Sequence, residues 1–258
     1  MDRVCSAESN FAMYNRLQDG DLIETGQKPI LADISSYEIF FKACESVTNL
    51  QKKSPHLNYG GTYRMCETEA KDLGISPDTY IHIQALNARL AIIKNLPSKN
   101  KEAERLALLK NTIPEVLGDK PVEPVKLSTL VDNGLAMCSE CSVLAQAYLE
   151  RQGIESYLCS ANLYQKHSDG ITWEEHHFLV IHENNNMFVY DPLNTKETGR
   201  PRVMNTQMSK NEFMQKVNAN ETFVLDFAPE IGAENTRFDI ADTHHLGYGI
   251  IKRANAGR

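Results

Sequence analysis

The sequence contains no long run of apolar residues. No stretch approaches the roughly 18 consecutive apolar residues that cross a membrane, so no membrane-spanning helix is expected. The N-terminus, Met1 to Ser6, has no apolar segment typical of a secretory signal peptide. These absences favour a cytoplasmic protein, or one exported without a conventional signal peptide.

Excess positive charge is also absent. Lys and Arg number 27 against 34 Asp and Glu, which gives a net charge of −7. A nucleic-acid partner is therefore not expected, because such partners select basic surfaces. A basic protein surface would suit this charge better. The 258 residues, 41% of them hydrophobic, suffice for one large domain or for a core with a helical subdomain.

The six cysteines do not indicate a disulfide-rich fold, because a chain of this length does not need disulfides. Cys44, Cys141 and Cys159 lie in apolar contexts, which favours reduced thiols in a reducing compartment. Cys138 and Cys141 form a C-x-x-C pair. A zinc site would need a second such pair, which the sequence does not supply, whereas a redox dithiol stays open. No metal or cofactor is expected.

An amphipathic helix is predicted to begin at Cys138, between the helix breaker Gly134 and the terminator Gly153. Helical spacing of apolar residues predicts one buried face: Cys141, Leu144, Ala145, Tyr148 and Leu149. The opposite face is expected to be polar: Gln146, Glu150, Arg151 and Gln152.

The position of Cys138 favours a reactive thiol. The first turn of a helix offers unpaired N–H groups and the positive end of the helix dipole. Both stabilise a thiolate, so the pKa of Cys138 is expected below its ordinary value of about 8.5. The same N–H groups can bind an oxyanion. Cys138 is thus a candidate nucleophile that needs a base.

A β-hairpin supplies candidates for that base. Residues 177–181 and 187–190 are rich in strand formers, and residues 183–186 between them predict a turn. An antiparallel pairing brings His176, before the first strand, next to Asp191, after the second. Carboxylate, imidazole and thiol then form a triad. Adjacent strand residues face opposite ways, so only one of His176 and His177 is expected to face the thiol.

The remaining elements predict an α+β fold with a helical region over residues 1–120 and an α+β region over 121–258, joined near Pro121 and Pro124. Irregular structure is expected over 1–35, and helices over 36–49, 63–73, 76–95, 101–110 and 209–217. Strands are expected over 154–160, 222–227 and 247–251, and a polar loop over 163–173.

Residues 133–194 resemble the transglutaminase-like branch of the papain-like cysteine enzymes. The likeness rests on a cysteine at a helix start, Gly153-Ile154, the run His176-x-Phe178, and a strand that ends in Asp191-Pro192. Many members have tryptophan where Phe178 stands. The resemblance implies a papain-like core with the nucleophile helix packed on an antiparallel sheet. It implies Cys138 as nucleophile, His176 as base and Asp191 as orienting acid.

The resemblance further implies attack on an amide of a protein substrate. Water acting on glutamine gives deamidation, an amine gives transglutamination, and a main-chain amide gives proteolysis. The acidic chain resembles bacterial effectors that modify a host protein, which favours deamidation or proteolysis. The alternative is a binding module with a papain-like shell and no turnover.

Several residues carry secondary hypotheses. Asn194 could orient the imidazole, and Asn133 could assist an oxyanion hole. Glu140 is interpreted as a solvated or capping acid. The remaining hypotheses are a metal site at His244, His245, Asp239 and Asp242, a surface position for His182, and a core or groove-wall role for Trp173.

Overall fold

The computed structural model describes residues 17–23, 28–53, 63–97, 100–110, 123–167, 170–195, 200–218, 223–226, 236–240 and 250–252. They form an α+β fold. Its helices are α1 (Glu38–Lys53), α2 (Tyr63–Leu73), α3 (Pro77–Lys94), α4 (Lys101–Leu109), α5 (Leu127–Asp132), α6 (Cys138–Arg151) and α7 (Lys210–Asn218). A 3₁₀ turn, Ile34–Tyr37, precedes α1.

The strands form two sheets. They are β1 (Leu22–Ile23), β2 (Ile30–Leu31), β3 (Val125–Lys126), β4 (Ser156–His167), β5 (Gly170–Glu183), β6 (Asn186–Thr195), β7 (Pro201–Ser209), β8 (Phe223–Asp226), β9 (Thr236–Ile240) and β10 (Ile250–Lys252). The main sheet is antiparallel and has six strands in the order β7-β6-β5-β4-β9-β8. A small four-stranded sheet, β10-β1-β2-β3, joins the two ends of the chain, with β2 and β3 parallel.

The predicted hairpin is confirmed as β5 and β6. The two strands pair antiparallel up to Glu183 and Asn186. Between them, Asn184 and Asn185 have φ of 50° and 63°. A two-residue type I′ turn needs this left-handed backbone at both positions, and Asn tolerates it better than most residues.

The predicted polar loop over residues 163–173 is wrong. β4 and β5 continue as paired strands through this region, with Leu163 opposite Glu174 and Tyr164 opposite Trp173. β9 pairs with the other edge of β4 at the same residues. Main-chain hydrogen bonds to strands on both sides can form a strand that has no apolar pattern in its sequence. The polar side chains of this region therefore predicted a loop where the structure has paired strands. The side chain of Trp173 lies outside the described part, so its role stays a prediction.

Helix α6 begins at Cys138 as predicted, but of its predicted polar face only Arg151, at the C-terminal end, is exposed, and Glu150 and Gln152 are half-buried. Every residue from Ser139 to Leu149 is buried. The helix contacts β4, β5 and β6 as well as α3 and α5, so it is enclosed between the sheet and other helices. Gln146, expected on an exposed face, is fully buried and donates from Nε2 to the Ser156 carbonyl at 2.8 Å. That bond allows a polar side chain in the core.

The N-terminal helices follow the predicted signals. α2 ends at Gly74, whose φ is 78°, and α3 begins after Ser76 with Pro77 in its first turn. α1 extends to Lys53, beyond the predicted end near Asn49. One buried apolar cluster contains residues from both sides of position 120, among them Phe41, Leu90, Leu144 and Leu179. The proposed linker, like most of residues 1–35 and 247–251, lies largely outside the described residues.

The end of the β5–β6 hairpin is tied to helix α3. The Glu183 carboxylate accepts hydrogen bonds from Ser76 N–H at 2.7 Å, from Ser76 Oγ at 2.6 Å and from Thr79 Oγ1 at 2.6 Å. Ser76 Oγ also accepts from Thr79 N–H at 3.1 Å, so Ser76 caps the N-terminus of α3. A carboxylate there is stabilised by the helix dipole, so Glu183 couples the sheet to α3.

We expect Glu183→Ala to lower the free energy of unfolding by about 1–3 kcal/mol, because three donors lose a charged acceptor. Urea denaturation of the purified variant measures this. Glu67→Ala, which removes an exposed carboxylate from α2, is the matched control and should stay within about 0.5 kcal/mol of the wild type. Equal losses of unfolding free energy in both variants would contradict the role of Glu183 in coupling the sheet to α3.

Candidate functional site

Cys138 is the first residue of α6 and is half-buried. The chain enters the helix through extended Met137, whose N–H donates to the Glu140 carboxylate at 2.8 Å. Upstream, Gly134 has φ of 70°, which glycine adopts without strain. The turn and the cap together place the thiol at the helix N-terminus, beside N–H groups that have no partner within the helix.

Both adjacent histidines interact with the thiol. His177 Nδ1 lies 4.0 Å from Cys138 Sγ, and the His176 ring also contacts the thiol. The expectation that only one of them would face it is wrong. The β5–β6 ladder ends at Leu179 and Tyr190, just before Pro192, which has no N–H to donate. On its other edge β5 remains paired with β4, with Ala161 opposite His176 and Ser160 opposite His177, so two neighbouring strand positions both reach the thiol here.

Asp191 lies behind His176. Its Oδ1 is 3.1 Å from His176 Nε2, and the carboxylate is fully buried. Oδ1 accepts from the Leu193 and Asn194 N–H groups, each at 3.1 Å. Oδ2 accepts from Asn194 Nδ2 at 2.9 Å and Arg202 Nη1 at 3.2 Å. These donors fix the carboxylate beside the His176 ring.

The three groups shift one another's ionisation. Burial would raise the pKa of the Cys138 thiol, but hydrogen bonds and charge interactions with His176 and His177 lower this pKa to about 6. Burial would lower the pKa of His176, but the Asp191 carboxylate and the thiolate raise it to about 10. Burial opposes ionisation of Asp191, yet His176, Arg202 and Asn194 hold its pKa at about 2. A thiolate–imidazolium pair therefore predominates at neutral pH.

The other described cysteines differ from Cys138. Burial raises the pKa of Cys44 to about 12 and that of Cys66 to about 11, and it raises the pKa values of Cys141 and Cys159 further. All five described cysteines are unpaired thiols. Cys138 is thus the one thiol among them with a lowered pKa, as expected of a nucleophile.

The secondary hypotheses have varied outcomes. Asn194 holds Asp191 rather than the imidazole, and Asn133 Nδ2 donates to the Thr129 carbonyl at 2.6 Å. Glu140 is a capping acid as expected, but it is fully buried rather than solvated. His182 is half-buried, with Nδ1 2.6 Å from Glu155 Oε2. The proposed histidine metal site lies mostly outside the described residues, which themselves contain no metal-ligand cluster.

Sequence reasoning missed the residues that support the triad. Arg202 reaches Asp191 from β7, Lys94 Nζ donates to the Leu193 carbonyl at 2.6 Å, and Arg105 Nη1 lies 2.8 Å from Glu140 Oε2. Lys94 and Arg105 reach partners distant in sequence, Arg202 lies opposite Asp191 on the next strand, and nothing local marks the three as different from surface cations. In the folded protein, their partial or full burial is what distinguishes these three residues from surface cations.

Comparison of the chain with protein-family models, curated proteins and solved structures found no match to any of the three. Within the described ranges no helix is both long enough and apolar enough to span a membrane.

We expect Cys138 to be alkylated fastest by limiting iodoacetamide, with a rate that rises with pH around a midpoint near 6. The sign follows because the thiolate is the reacting form and its fraction grows as pH rises through the pKa. Peptide mass spectrometry, residue by residue, measures the rates from pH 4 to 9. A rate for Cys138 no greater than that for buried Cys66 would contradict the lowered pKa.

The two histidines are expected to contribute unequally. His176→Ala removes the ring backed by Asp191, so the alkylation rate at pH 6 should fall on the order of tenfold or more. His177→Ala should have a smaller effect, because its contact with the thiol is long, at 4.0 Å. A larger effect from His177→Ala in the same assay would transfer the role of base to His177.

Proposed function

We propose that the protein is a cysteine-nucleophile hydrolase or acyltransferase that acts on an amide of a protein substrate. Cys138 is the nucleophile, His176 the base and Asp191 the orienting acid. One observation carries the proposal: a thiol with a pKa lowered to about 6 lies at a helix N-terminus, next to an imidazole whose Nε2 is 3.1 Å from a buried carboxylate. This combination activates a thiol for attack on a carbonyl.

The proposed reaction begins from the thiolate–imidazolium pair. The thiolate attacks the carbonyl carbon, a carbon–sulfur bond forms, and the carbonyl electron pair moves to oxygen. N–H groups of the first turn of α6 are placed to stabilise this oxyanion. The intermediate collapses as the carbon–nitrogen bond breaks, and imidazolium protonates the departing nitrogen. Neutral His176 then takes a proton from water as the resulting hydroxide attacks the thioester carbonyl carbon. The carbon–sulfur bond breaks, the carboxylic acid leaves, and the Cys138 thiolate and His176 imidazolium are restored.

Asp191 keeps its negative charge throughout the proposed cycle. Its pKa of about 2 lies far below that of His176, so it does not accept the proton. It stabilises the imidazolium and fixes the ring orientation. The donors from Asn194 and Arg202 hold the carboxylate during both half-reactions.

The finer fold assignment belongs to the same proposal. A papain-like, transglutaminase-like core is supported by a nucleophile helix that packs against β5 and β6, the strands that carry His176 and Asp191. Within this class, deamidation or proteolysis of a host protein is our preferred reaction, with transglutamination sharing the first half-reaction. That preference rests on the resemblance to signal-free, acidic bacterial effectors.

To test the reaction, wild-type protein and Cys138→Ala are incubated with a eukaryotic cell lysate, and changed proteins are identified by mass spectrometry. Deamidation adds about one dalton at a glutamine, proteolysis produces fragments, and transfer produces an amine adduct or a cross-link. His176→Ala and Asp191→Asn should reduce the wild-type change by about 10²–10⁴-fold. Cys66→Ala, which removes a cysteine from helix α2, should retain it.

A lysate that the wild type leaves unchanged, together with a Cys138 that reacts no faster than the other cysteines, would refute the enzyme assignment. The alternative would then be a binding module with no turnover. A change that survives Cys138→Ala would refute the assigned nucleophile while leaving an enzyme.

A further inference from the structure

Arg105 projects from helix α4 to the chain segment that carries the nucleophile. Its Nη1 lies 2.8 Å from Glu140 Oε2 and 3.2 Å from the Leu135 carbonyl oxygen, and its Nη2 donates to Ser139 Oγ at 3.2 Å. Leu135 precedes Cys138 by three residues, and Ser139 follows it directly. A single guanidinium therefore holds the backbone before the thiol and the helix turn after it.

The partner carboxylate cannot be solvated. Glu140 is fully buried, its Oε2 accepts from Met137 N–H at 2.8 Å, and its Oε1 accepts from Ser139 Oγ at 3.1 Å. A buried carboxylate requires a counter-charge, and Arg105 supplies it. Without Arg105, Glu140 would place an uncompensated negative charge two residues from the thiolate.

Other contacts of the same α3–α4 segment converge on the site. Lys94 Nζ donates to the Leu193 carbonyl, two residues after Asp191. The backbone of Leu96 approaches Gly134 so closely that a Cβ on Gly134 would lie 3.1 Å from the Leu96 oxygen. Lys94 thus contacts the acid segment, and Leu96 and Arg105 contact the nucleophile segment.

The thiol lies within a wider set of charges that any change at Arg105 would unbalance. β5 contributes His176 and His177, and β6 contributes Asp191. Among the described residues, further titratable groups near the start of α6 lie on α3, α4 and α6 itself: Lys94, Lys101, Arg105, Glu140 and Cys141. Loss of Arg105 removes a positive charge from this set and leaves the negative charge of Glu140 without its counter-charge. Both changes disfavour the thiolate.

We propose that Arg105 is a positioning residue for the nucleophile: by holding Leu135, Ser139 and buried Glu140, it makes the N-terminal helices part of the thiol site. This inference deepens the proposed function and rests on it for its catalytic meaning. Arg105 is expected to influence the ionisation of the Cys138 thiol, and this influence can be measured without a substrate. The N-terminal helices are then a working part of the active site rather than an accessory to it.

The test is the pH dependence of Cys138 alkylation in the full chain. Arg105→Gln keeps a donor for the Leu135 carbonyl but removes the charge, so alkylation should slow about fivefold at pH 6 and stay within about twofold at pH 9, where the thiol is ionised in either protein. Arg105→Gln/Glu140→Gln removes both charges and keeps an acceptor for Met137 N–H. It should recover most of the wild-type rate at pH 6.

Arg151→Ala is the matched control, because it breaks an arginine–carboxylate pair with Glu38 at the opposite end of α6. It should leave the pH profile unchanged. An Arg105→Gln profile that matches the wild type, or one slowed equally at every pH, would overturn the inference. If Arg105→Gln fails to fold, the double variant decides: a folded double variant supports the charge coupling, and an unfolded one overturns it.

These outcomes are distinguishable from failure of the proposed function. A wild-type Cys138 without a midpoint near pH 6 would refute the activated nucleophile itself. A wild-type midpoint near 6 that does not respond to Arg105→Gln refutes only the role of Arg105.

Discussion

The burial of helix α6 on every side is the constraint on which the site depends. From Ser139 to Leu149 no residue of the helix is exposed, so its long polar side chains are stabilised by partners inside the protein. Gln146 finds the Ser156 carbonyl, and Glu140 finds Arg105 and the Met137 N–H. Breaking a buried ion pair costs about 3–5 kcal/mol, so these partners hold the helix in one position. The half-buried residue at its start, Cys138, is held with it.

Charges of alternating sign extend from this helix into the sheet. Arg202 pairs with Asp191, Asp191 faces His176, and the His176 ring contacts the Cys138 thiol. In a buried environment each charge stabilises its neighbours more strongly than it would in water. The lowered pKa of the thiol and the raised pKa of the imidazole therefore arise from the same set of interacting charges. Removing any member should alter the ionisation of the others.

Local signals predicted the elements that position the triad. Gly134 and Gly153 bracket α6, Ser76 and Pro77 begin α3, and Asn184 and Asn185 form the turn. Each of these signals acts on residues only a few positions away, so it can be recognised in the sequence. The paired strands over residues 163–173 escaped prediction because β4 and β9 pair through the main chain, which side-chain polarity does not report. Strand alternation predicted that only one of the adjacent histidines would face the thiol, whereas both His176 and His177 interact with it.

The sequence alone determined where the helices and the hairpin begin and end, and which cysteine would stand at a helix start. These are short-range consequences of backbone conformation and capping. Only the tertiary structure decided that Glu140 would be buried, that Arg105 would neutralise it from another helix, and that Arg202 of the neighbouring strand would pair with Asp191. The sequence around a charged residue does not show whether its side chain is buried. Its partner is chosen by packing between distant segments, where an unpaired charge would cost more than the pair.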